Sequence, residues 1–321
     1  MTVKTLVKTC VAAFLAVAAT AADAKPLKVL MVGNSFSICV LKELPQCAAS
    51  CGETLDLASL YIGGCSLERH SDNIAKATDP DFKPYTFSYD YASVKDKKDA
   101  PVAKLGRHTN IPQALKADKW DIVTIQQASP RSPYPETYEP FAKNLISTIR
   151  EFAPQAEIVI QQTWSYSRYA QFLEKKGYTQ DTMFAAVKGA YADLAGRYGL
   201  RIIPMGEAVQ LYRSRLPVKY GKILTSKEIE ALPQPQLVDF CGDVVGLSYW
   251  RKGNGKDGKT KLSLDTIHLN PDGHYLQACT WLAMLFGSDV TQLRYAPPDM
   301  GKDKAKLMRE CAAAAVAAYR K

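Results

Sequence analysis

Residues 28–37 read KVLMVGNSFS, an aliphatic run that stops at Gly33 and is followed at once by Asn34 and Ser35. A short apolar run that ends at a glycine is typical of a buried strand. Helical periodicity follows from about residue 40 to residue 51. The stretch therefore predicts a buried strand, a tight turn that carries a serine, and a helix.

The same succession of strands and helices continues along the chain. Strands separated by helices of about 10–15 residues indicate parallel crossovers. The pattern predicts an α/β fold with a doubly wound parallel sheet of about five strands. Further strands are predicted at residues 54–61, 121–126, 157–161 and 201–204, and helices at residues 67–77, 111–117, 138–152, 182–198, 272–286 and 302–319.

Two stretches interrupt this pattern. Residues 79–106 are rich in Tyr, Lys, Asp and Pro, and residues 85–91 alternate as an exposed hairpin strand would. Residues 205–264 contain several prolines and a Gly/Lys-rich segment, with one short helix expected at residues 226–232. We interpret both stretches as surface insertions in a single domain that spans residues 25–321.

The first 24 residues have the layout of a secretory signal peptide. Lys4 and Lys8 precede an apolar stretch at residues 10–19, and Ala22-Asp23-Ala24 forms a small-residue cleavage site. The apolar stretch is shorter than the roughly 20 residues that a membrane span needs. We therefore expect cleavage after Ala24 and a protein exported to the periplasm or secreted, without membrane insertion.

Composition and charge exclude several classes of protein. The chain has 321 residues, 47% of them hydrophobic, which is typical of a soluble globular protein. Its 41 Lys and Arg exceed 32 Asp and Glu, but the excess is spread along the chain. A nucleic-acid partner would need a denser basic stripe, so we expect none. The oligomeric state is left open.

Cysteine usage is compatible with disulfides but does not define them. Seven of the eight cysteines follow the signal peptide, and an odd number leaves at least one thiol without a partner in the chain. No C-x2-C pair occurs, and the histidines are not spaced with the cysteines as a zinc site requires. We expect neither a metal nor a cofactor.

Two distant segments carry the residues of nucleophilic catalysis. Ser35 lies between a strand and a helix, where it could be either a nucleophile or merely the helix N-cap. Residues 265–268 read DTIH and precede the last long helix, in what we expect to be a loop. A His three residues after an Asp can turn one ring nitrogen to a serine while the carboxylate holds the other. The pair of segments favours catalysis.

The GNS segment near the mature N-terminus, the DxxH segment near the C-terminus and the parallel α/β pattern between them resemble the SGNH branch of the GDSL-type hydrolases. The tail HLNPDGHYLQACTWLAMLFG is similar to an uncharacterised exported bacterial branch of that group. The resemblance implies a three-layer, flavodoxin-like α/β/α fold. It makes Ser35 the nucleophile, His268 the general base and then acid, and Asp265 the residue that orients His268.

The resemblance also implies an oxyanion hole. In that family the hole uses the N–H of the nucleophile, a glycine after the second strand and an Asn in a GxND motif after the third. Gly63 or Gly64 matches the second position, but residues 126–130 read QQASP and lack GxND. We expect the Gln127 amide to take the place of the missing Asn, with Ser129 as a lesser alternative.

Other residues at the strand ends are weaker candidates for substrate binding. Asn34, Gln126 and Ser129 lie close to the predicted catalytic positions in sequence, and Trp164 follows the fourth strand. Aromatic and amide groups in such loops suit stacking on a sugar ring and hydrogen bonding to it. Ordinary loop packing explains them equally well.

Two functional hypotheses follow. The first is a serine esterase that removes a small acyl group, most simply acetyl, from a carbohydrate or a similar polar compound. The second is a binding protein of the same fold that holds a glycan or other ligand but has impaired catalysis, as the missing GxND motif would suggest. The presence of Ser35, His268 and Asp265 together favours the esterase.

Overall fold

The computed structural model describes residues 25–216, 223–252 and 260–320. The predicted signal peptide lies outside these residues, as does the Gly/Lys-rich segment at residues 253–258. No helix in the described ranges is long and apolar enough to cross a membrane.

A single mixed sheet forms the centre of the protein. Its strands are β1 (Leu27–Gly33), β2 (Leu55–Tyr61), β3 (Tyr85–Tyr91), β4 (His108–Thr109), β5 (Ile122–Ile125), β6 (Glu157–Gln161) and β7 (Arg201–Ile203). In the described residues these strands are ordered β4-β3-β2-β1-β5-β6-β7. The five strands β2, β1, β5, β6 and β7 are parallel, which confirms the predicted sheet. This order is that of a doubly wound, flavodoxin-like sheet.

Helices cover the sheet as the α/β/α arrangement requires. Those between β2 and β6 pack against one another, and the helix at Pro271–Phe286 packs against those at Leu44–Ser50, Met205–Ser214 and Lys302–Tyr319. The α-helices of the described residues are α1 (Ser35–Ile38), α2 (Leu44–Ser50), α3 (Leu67–Lys76), α4 (Ile111–Ala117), α5 (Phe141–Phe152), α6 (Gln171–Lys176), α7 (Gln180–Tyr198), α8 (Met205–Ser214), α9 (Ser226–Glu230), α10 (Pro271–Phe286) and α11 (Lys302–Tyr319).

The first predicted insertion belongs to the central sheet. β3 pairs antiparallel with β2 along its length, and β4 extends the sheet by a short antiparallel strand. Tyr85, Phe87 and Tyr91 are almost fully buried. The alternation of residues 85–91 therefore marks a strand with one buried face, and the expectation of an exposed hairpin is wrong.

The second predicted insertion is more regular than expected. Helix α8 buries Met205, Ala208, Val209 and Tyr212, which recur at the spacing of one helix face. Beyond α9, strands β8 (Val245–Lys252) and β9 (Thr260–Leu269) pair antiparallel as a separate hairpin. The DTIH segment lies on β9, so the prediction that it forms a loop is also wrong.

The cysteines that the structure describes form no disulfide. The seven cysteines from Cys39 to Cys311 all have free thiols. Four of them, Cys47, Cys65, Cys279 and Cys311, are buried in the core. Free cysteine in such positions packs as a small apolar side chain.

A buried ion pair fastens the hairpin to the body of the protein. Arg213, on α8, donates from Nε to Asp243 Oδ1 at 3.0 Å and from Nη1 to Ser165 Oγ at 2.7 Å. Asn270 Nδ2 donates to the carbonyl oxygen of Asp243 at 2.8 Å. Asp243 therefore joins the start of β8 both to the core and to the start of α10.

We predict that Arg213→Ala lowers the free energy of unfolding by about 3 kcal/mol or more, because it leaves a carboxylate buried without its partner. The matched control is Arg215→Ala. Arg215 forms an ion pair with Glu310 at 3.8 Å, with both side chains 41% exposed. Its loss should cost about 1 kcal/mol or less. Urea unfolding of both variants measures the difference, and equal losses would contradict the role of Arg213.

Candidate active site

Ser35, His268 and Asp265 meet at the carboxyl edge of the parallel sheet. Ser35 follows β1 directly, whereas His268 and Asp265 lie near the end of β9. His268 Nε2 is 2.8 Å from Ser35 Oγ, although the two residues are 233 positions apart in the chain. His268 Nδ1 is 2.7 Å from Asp265 Oδ2. The structure therefore brings all three residues into one hydrogen-bonded chain.

Asp265 is held in its ionised form. Partial burial acts to raise its pKa, but hydrogen bonds from the His268 ring and from the backbone N–H groups of His268 and Ile267 outweigh it and lower the pKa to about 2. Both backbone donors lie 3.0 Å from Oδ1. Asp265 thus carries a full negative charge at neutral pH.

The charge on Asp265 decides how His268 is protonated. An ionised carboxylate accepts hydrogen bonds and donates none, so His268 Nδ1 must carry the proton that points to Asp265. In the neutral ring the lone pair is then on Nε2, which faces the Ser35 hydroxyl. This tautomer can accept the hydroxyl proton as Ser35 attacks an electrophile.

Buried amide side chains shape the turn that carries Ser35. The helix N-cap is Asn34, whose Oδ1 accepts from Phe36 N at 3.0 Å. Its Nδ2 donates to the carbonyl oxygen of Cys65 at 2.9 Å, and Gln126 Nε2 donates to its Oδ1 at 2.6 Å. The cap is therefore made by Asn34, so Ser35 is left free for another role.

Phe36, the residue after Ser35, is held equally firmly. The carbonyl oxygen of Phe36 accepts from Gln161 Nε2 at 2.7 Å and from Gln277 Nε2 at 2.9 Å. Its ring stacks on Trp164 with a centroid distance of 4.3 Å and lies 5.4 Å from the His268 ring. Phe36 and Gln277 were not predicted as site residues. Their positions in strongly apolar segments gave no sign of a link to the site.

Trp164 has a structural place different from the one predicted. Its side chain is fully buried, and its Nε1 donates to the carbonyl oxygen of Ile267 at 2.9 Å. It cannot stack on a sugar ring from this position. Instead it hydrogen-bonds the backbone next to His268 and packs against the Phe36 ring.

Backbone donors are available for a developing oxyanion. In the described part of the chain, the N–H groups of Ser35, Gly63 and Gly64 have no hydrogen-bond partner. Both glycines are exposed, and Gly64 has a φ of +59°, which favours glycine. The bond from Asn34 to Cys65 keeps this loop beside the Ser35 turn.

The structure contradicts the expected role of Gln127. Its side chain is fully buried, and both N–H bonds of Nε2 are directed at Thr137, to the carbonyl oxygen at 2.9 Å and to Oγ1 at 3.2 Å. Its Oε1 accepts from the backbone of Leu67 and Ala128. Gln127 therefore has no donor left for an oxyanion and serves to join the loops after β2 and β5.

The weaker predictions for substrate contact fail for a common reason. Asn34, Gln126 and Ser129 are each at most 4% exposed. Ser129 Oγ accepts from the Tyr166 hydroxyl at 2.8 Å. These side chains are buried beneath the site and do not reach a substrate.

Within residues 25–216, 223–252 and 260–320, no cluster of His, Cys, Asp or Glu could hold a metal ion.

The structure is an α/β/α protein in which Ser35, His268 and Asp265 form one chain of hydrogen bonds at the carboxyl edge of the parallel sheet. The chain belongs to the family described as domain of unknown function DUF4886, which matches residues 28–217. No curated protein matches it significantly.

One solved structure shares the fold, and two others are more distantly similar. A DUF4886 family protein from Bacteroides uniformis is 25% identical with a TM-score of 0.68, covering 92% of this chain and 97% of that one. A candidate SGNH hydrolase from Slackia heliotrinireducens is 19% identical (TM-score 0.42, 80% and 97% covered). A candidate GDSL-like lipase from Parabacteroides merdae is 13% identical (TM-score 0.44, 80% and 94% covered). The last two similarities are too distant to bear on function.

We predict that Trp164→Phe lowers the free energy of unfolding by about 1–3 kcal/mol, because it removes the bond from a fully buried indole to the partly buried carbonyl group of Ile267. The control is Trp250→Phe. Trp250 Nε1 makes the same kind of bond to Gln236 O at 2.9 Å, but in an exposed setting where water can replace it. Chemical denaturation compares the two variants, and equal effects would contradict the prediction.

The low pKa of Asp265 predicts a defined pH dependence of stability. An Asp carboxyl has a pKa of about 3.9 when unfolded, so its folded-state interactions stabilise the protein fully above that pH. This contribution is lost as the pH falls through about 2, the folded-state pKa. The stability advantage over Asp265→Asn should therefore shrink between pH 4 and pH 2. An advantage that grows over this range in urea unfolding would contradict the assignment.

Proposed function

We propose that this protein is a serine esterase that hydrolyses a small acyl ester, most simply an acetyl ester, of a carbohydrate or similar polar alcohol. The observation that carries the proposal is the chain of hydrogen bonds from Ser35 Oγ to His268 Nε2 at 2.8 Å and from His268 Nδ1 to Asp265 at 2.7 Å. A protein that only binds a ligand has no physical need for this arrangement.

The reaction follows from the geometry. Ser35 Oγ attacks the ester carbonyl carbon while His268 Nε2 takes the hydroxyl proton, and Asp265 stabilises the imidazolium. The carbonyl oxygen becomes an oxyanion near the free N–H groups of Ser35, Gly63 and Gly64. The tetrahedral intermediate collapses as His268 returns the proton to the departing alcohol.

The second half of the reaction releases the acid. Water attacks the acyl-Ser35 ester and gives a proton to His268, which then protonates Ser35 Oγ as the carboxylic acid leaves. If an alcohol replaces water in this step, the same site transfers the acyl group. No metal or organic cofactor takes part in either half.

The opening beside Ser35 suits a polar substrate. The exposed Gly63-Gly64 pair leaves one side of the site open to solvent. Hydrolysis outside the cytoplasm fits the signal peptide predicted for residues 1–24, which we retain as part of the proposal.

An impaired, ligand-binding protein remains the second candidate. The observation that favours it is the engagement of Gln127 by Thr137, Leu67 and Ala128, which removes the expected third donor from the oxyanion hole. Loss of one such donor costs about 100- to 1,000-fold in rate. This loss is smaller than the rate enhancement that a complete triad supplies, so slow hydrolysis is still expected.

The test uses p-nitrophenyl acetate and a serine-directed fluorophosphonate on the mature protein. Ser35→Ala and His268→Ala should each lower turnover by about 1,000-fold or more. The label should attach at Ser35. The control is His108→Ala, since His108 is exposed on β4 and away from the triad. Labelling of Ser35→Ala equal to that of the parent would overturn the esterase and favour the binding protein.

A further inference from the structure

The β8–β9 hairpin has two unlike faces. Residues directly opposite one another on antiparallel strands place their side chains on the same face, and the face alternates at each position. The register of the hairpin therefore assigns each residue to one face. One face carries Leu247 and Asp265, Tyr249 and Ser263, and Arg251 and Lys261 as opposite pairs.

The other face is turned to the body of the protein. Ser248 is only 6% exposed, and its hydroxyl bonds to both backbone groups of Val238. Leu262, Leu264 and Thr266 line a cavity bounded by residues of α6 and α9. This face is therefore partly packed against the body of the protein and partly open to that cavity.

The face that carries Asp265 is open. Leu247 is 46% exposed and Tyr249 is 43% exposed, which makes them two of the large apolar side chains that the described residues leave to solvent. The cations Arg251 and Lys261 are exposed as well and stand directly opposite each other. Neither forms an ion pair within the part of the chain that is described. Like charges in this position repel, and a bound anion would relieve the repulsion.

The spacing along the hairpin matches an extended ligand. Lys261 lies four residues before Asp265, which is about 13 Å along a strand at about 3.3 Å per residue. The Tyr249 ring lies between the cation pair and Asp265. A chain longer than one sugar ring can therefore reach the cations, cover the tyrosine ring and present an ester to Ser35.

We propose that this open face, defined by Leu247, Tyr249, Arg251 and Lys261, is the binding platform for a glycan that carries carboxylates. A uronate carboxylate pairs with Arg251 and Lys261, and the apolar face of a neighbouring sugar packs on Tyr249. The ester to be cleaved is on the same glycan, close to His268. The inference rests on the esterase proposed above and names its substrate class as acyl esters of acidic glycans.

The experiment compares Arg251→Ala/Lys261→Ala and Tyr249→Ala with Lys252→Ala. Lys252 is the matched control because it is exposed, carries the same charge and lies one position away on the opposite face. The substrates are acetylated oligogalacturonate, acetylated xylo-oligosaccharide as its neutral counterpart, and p-nitrophenyl acetate. We expect the double variant to raise KM for the acidic substrate by about tenfold, the effect of roughly 1.4 kcal/mol of binding free energy. The kcat for the acidic substrate and the KM for the neutral substrate should change little. Lys252→Ala should leave both constants close to those of the parent.

A binding measurement separates this inference from the proposed function. Titration calorimetry of oligogalacturonate without acetyl groups into the Ser35→Ala protein needs no turnover. Binding to the Ser35→Ala protein that is lost when Arg251→Ala and Lys261→Ala are added supports the platform. It does so even if the parent protein hydrolyses no ester, a result that would overturn only the esterase. Hydrolysis of p-nitrophenyl acetate together with equal affinity for acidic and neutral oligosaccharides would overturn the platform and leave the esterase intact.

Discussion

The hydrogen bond between Ser35 and His268 joins the first strand of the sheet to a hairpin 233 residues later, and the rest of the site depends on it. A bond of 2.8 Å leaves little tolerance, so the hairpin has to be docked with the same accuracy. Three contacts do this. Arg213 holds Asp243 at the start of β8, Trp164 Nε1 holds Ile267, and Ser167 N donates to the carbonyl oxygen of Thr266 at 2.9 Å.

The buried polar groups around the Ser35 turn lower the stability of the folded protein. Gln126, Gln161 and Gln277 each direct an N–H at the turn, and each leaves its side-chain oxygen buried without a partner in the described residues. An unsatisfied buried acceptor costs about 1–3 kcal/mol. The fixed geometry of the Ser35 turn is therefore gained at the expense of stability, as occurs at functional sites.

The sequence allowed the parallel core and the three triad positions to be predicted, because both signals are local. Aliphatic runs ending at Gly33 or Gly63 mark buried strands, and the spacing of Asp265 and His268 is a short-range pattern. The hairpin was missed because the neighbours of Asp265 alternate weakly between polar and apolar, and its pairing partner lies beyond a Gly/Lys-rich segment. The buried states of Gln127 and Trp164 could not be predicted either. A side chain that hydrogen-bonds Thr137 or Ile267 leaves no trace in sequence spacing.

The central claim is that Ser35 and His268 act as one unit, and its most direct measurement is a double-variant cycle. We would determine kcat/KM for the two single alanine variants and for Ser35→Ala/His268→Ala. If proton transfer between the two side chains is the chemistry, the double variant should be about as slow as either single variant, because the second loss removes nothing further. Losses that multiply would show that the two residues contribute independently and would contradict the account.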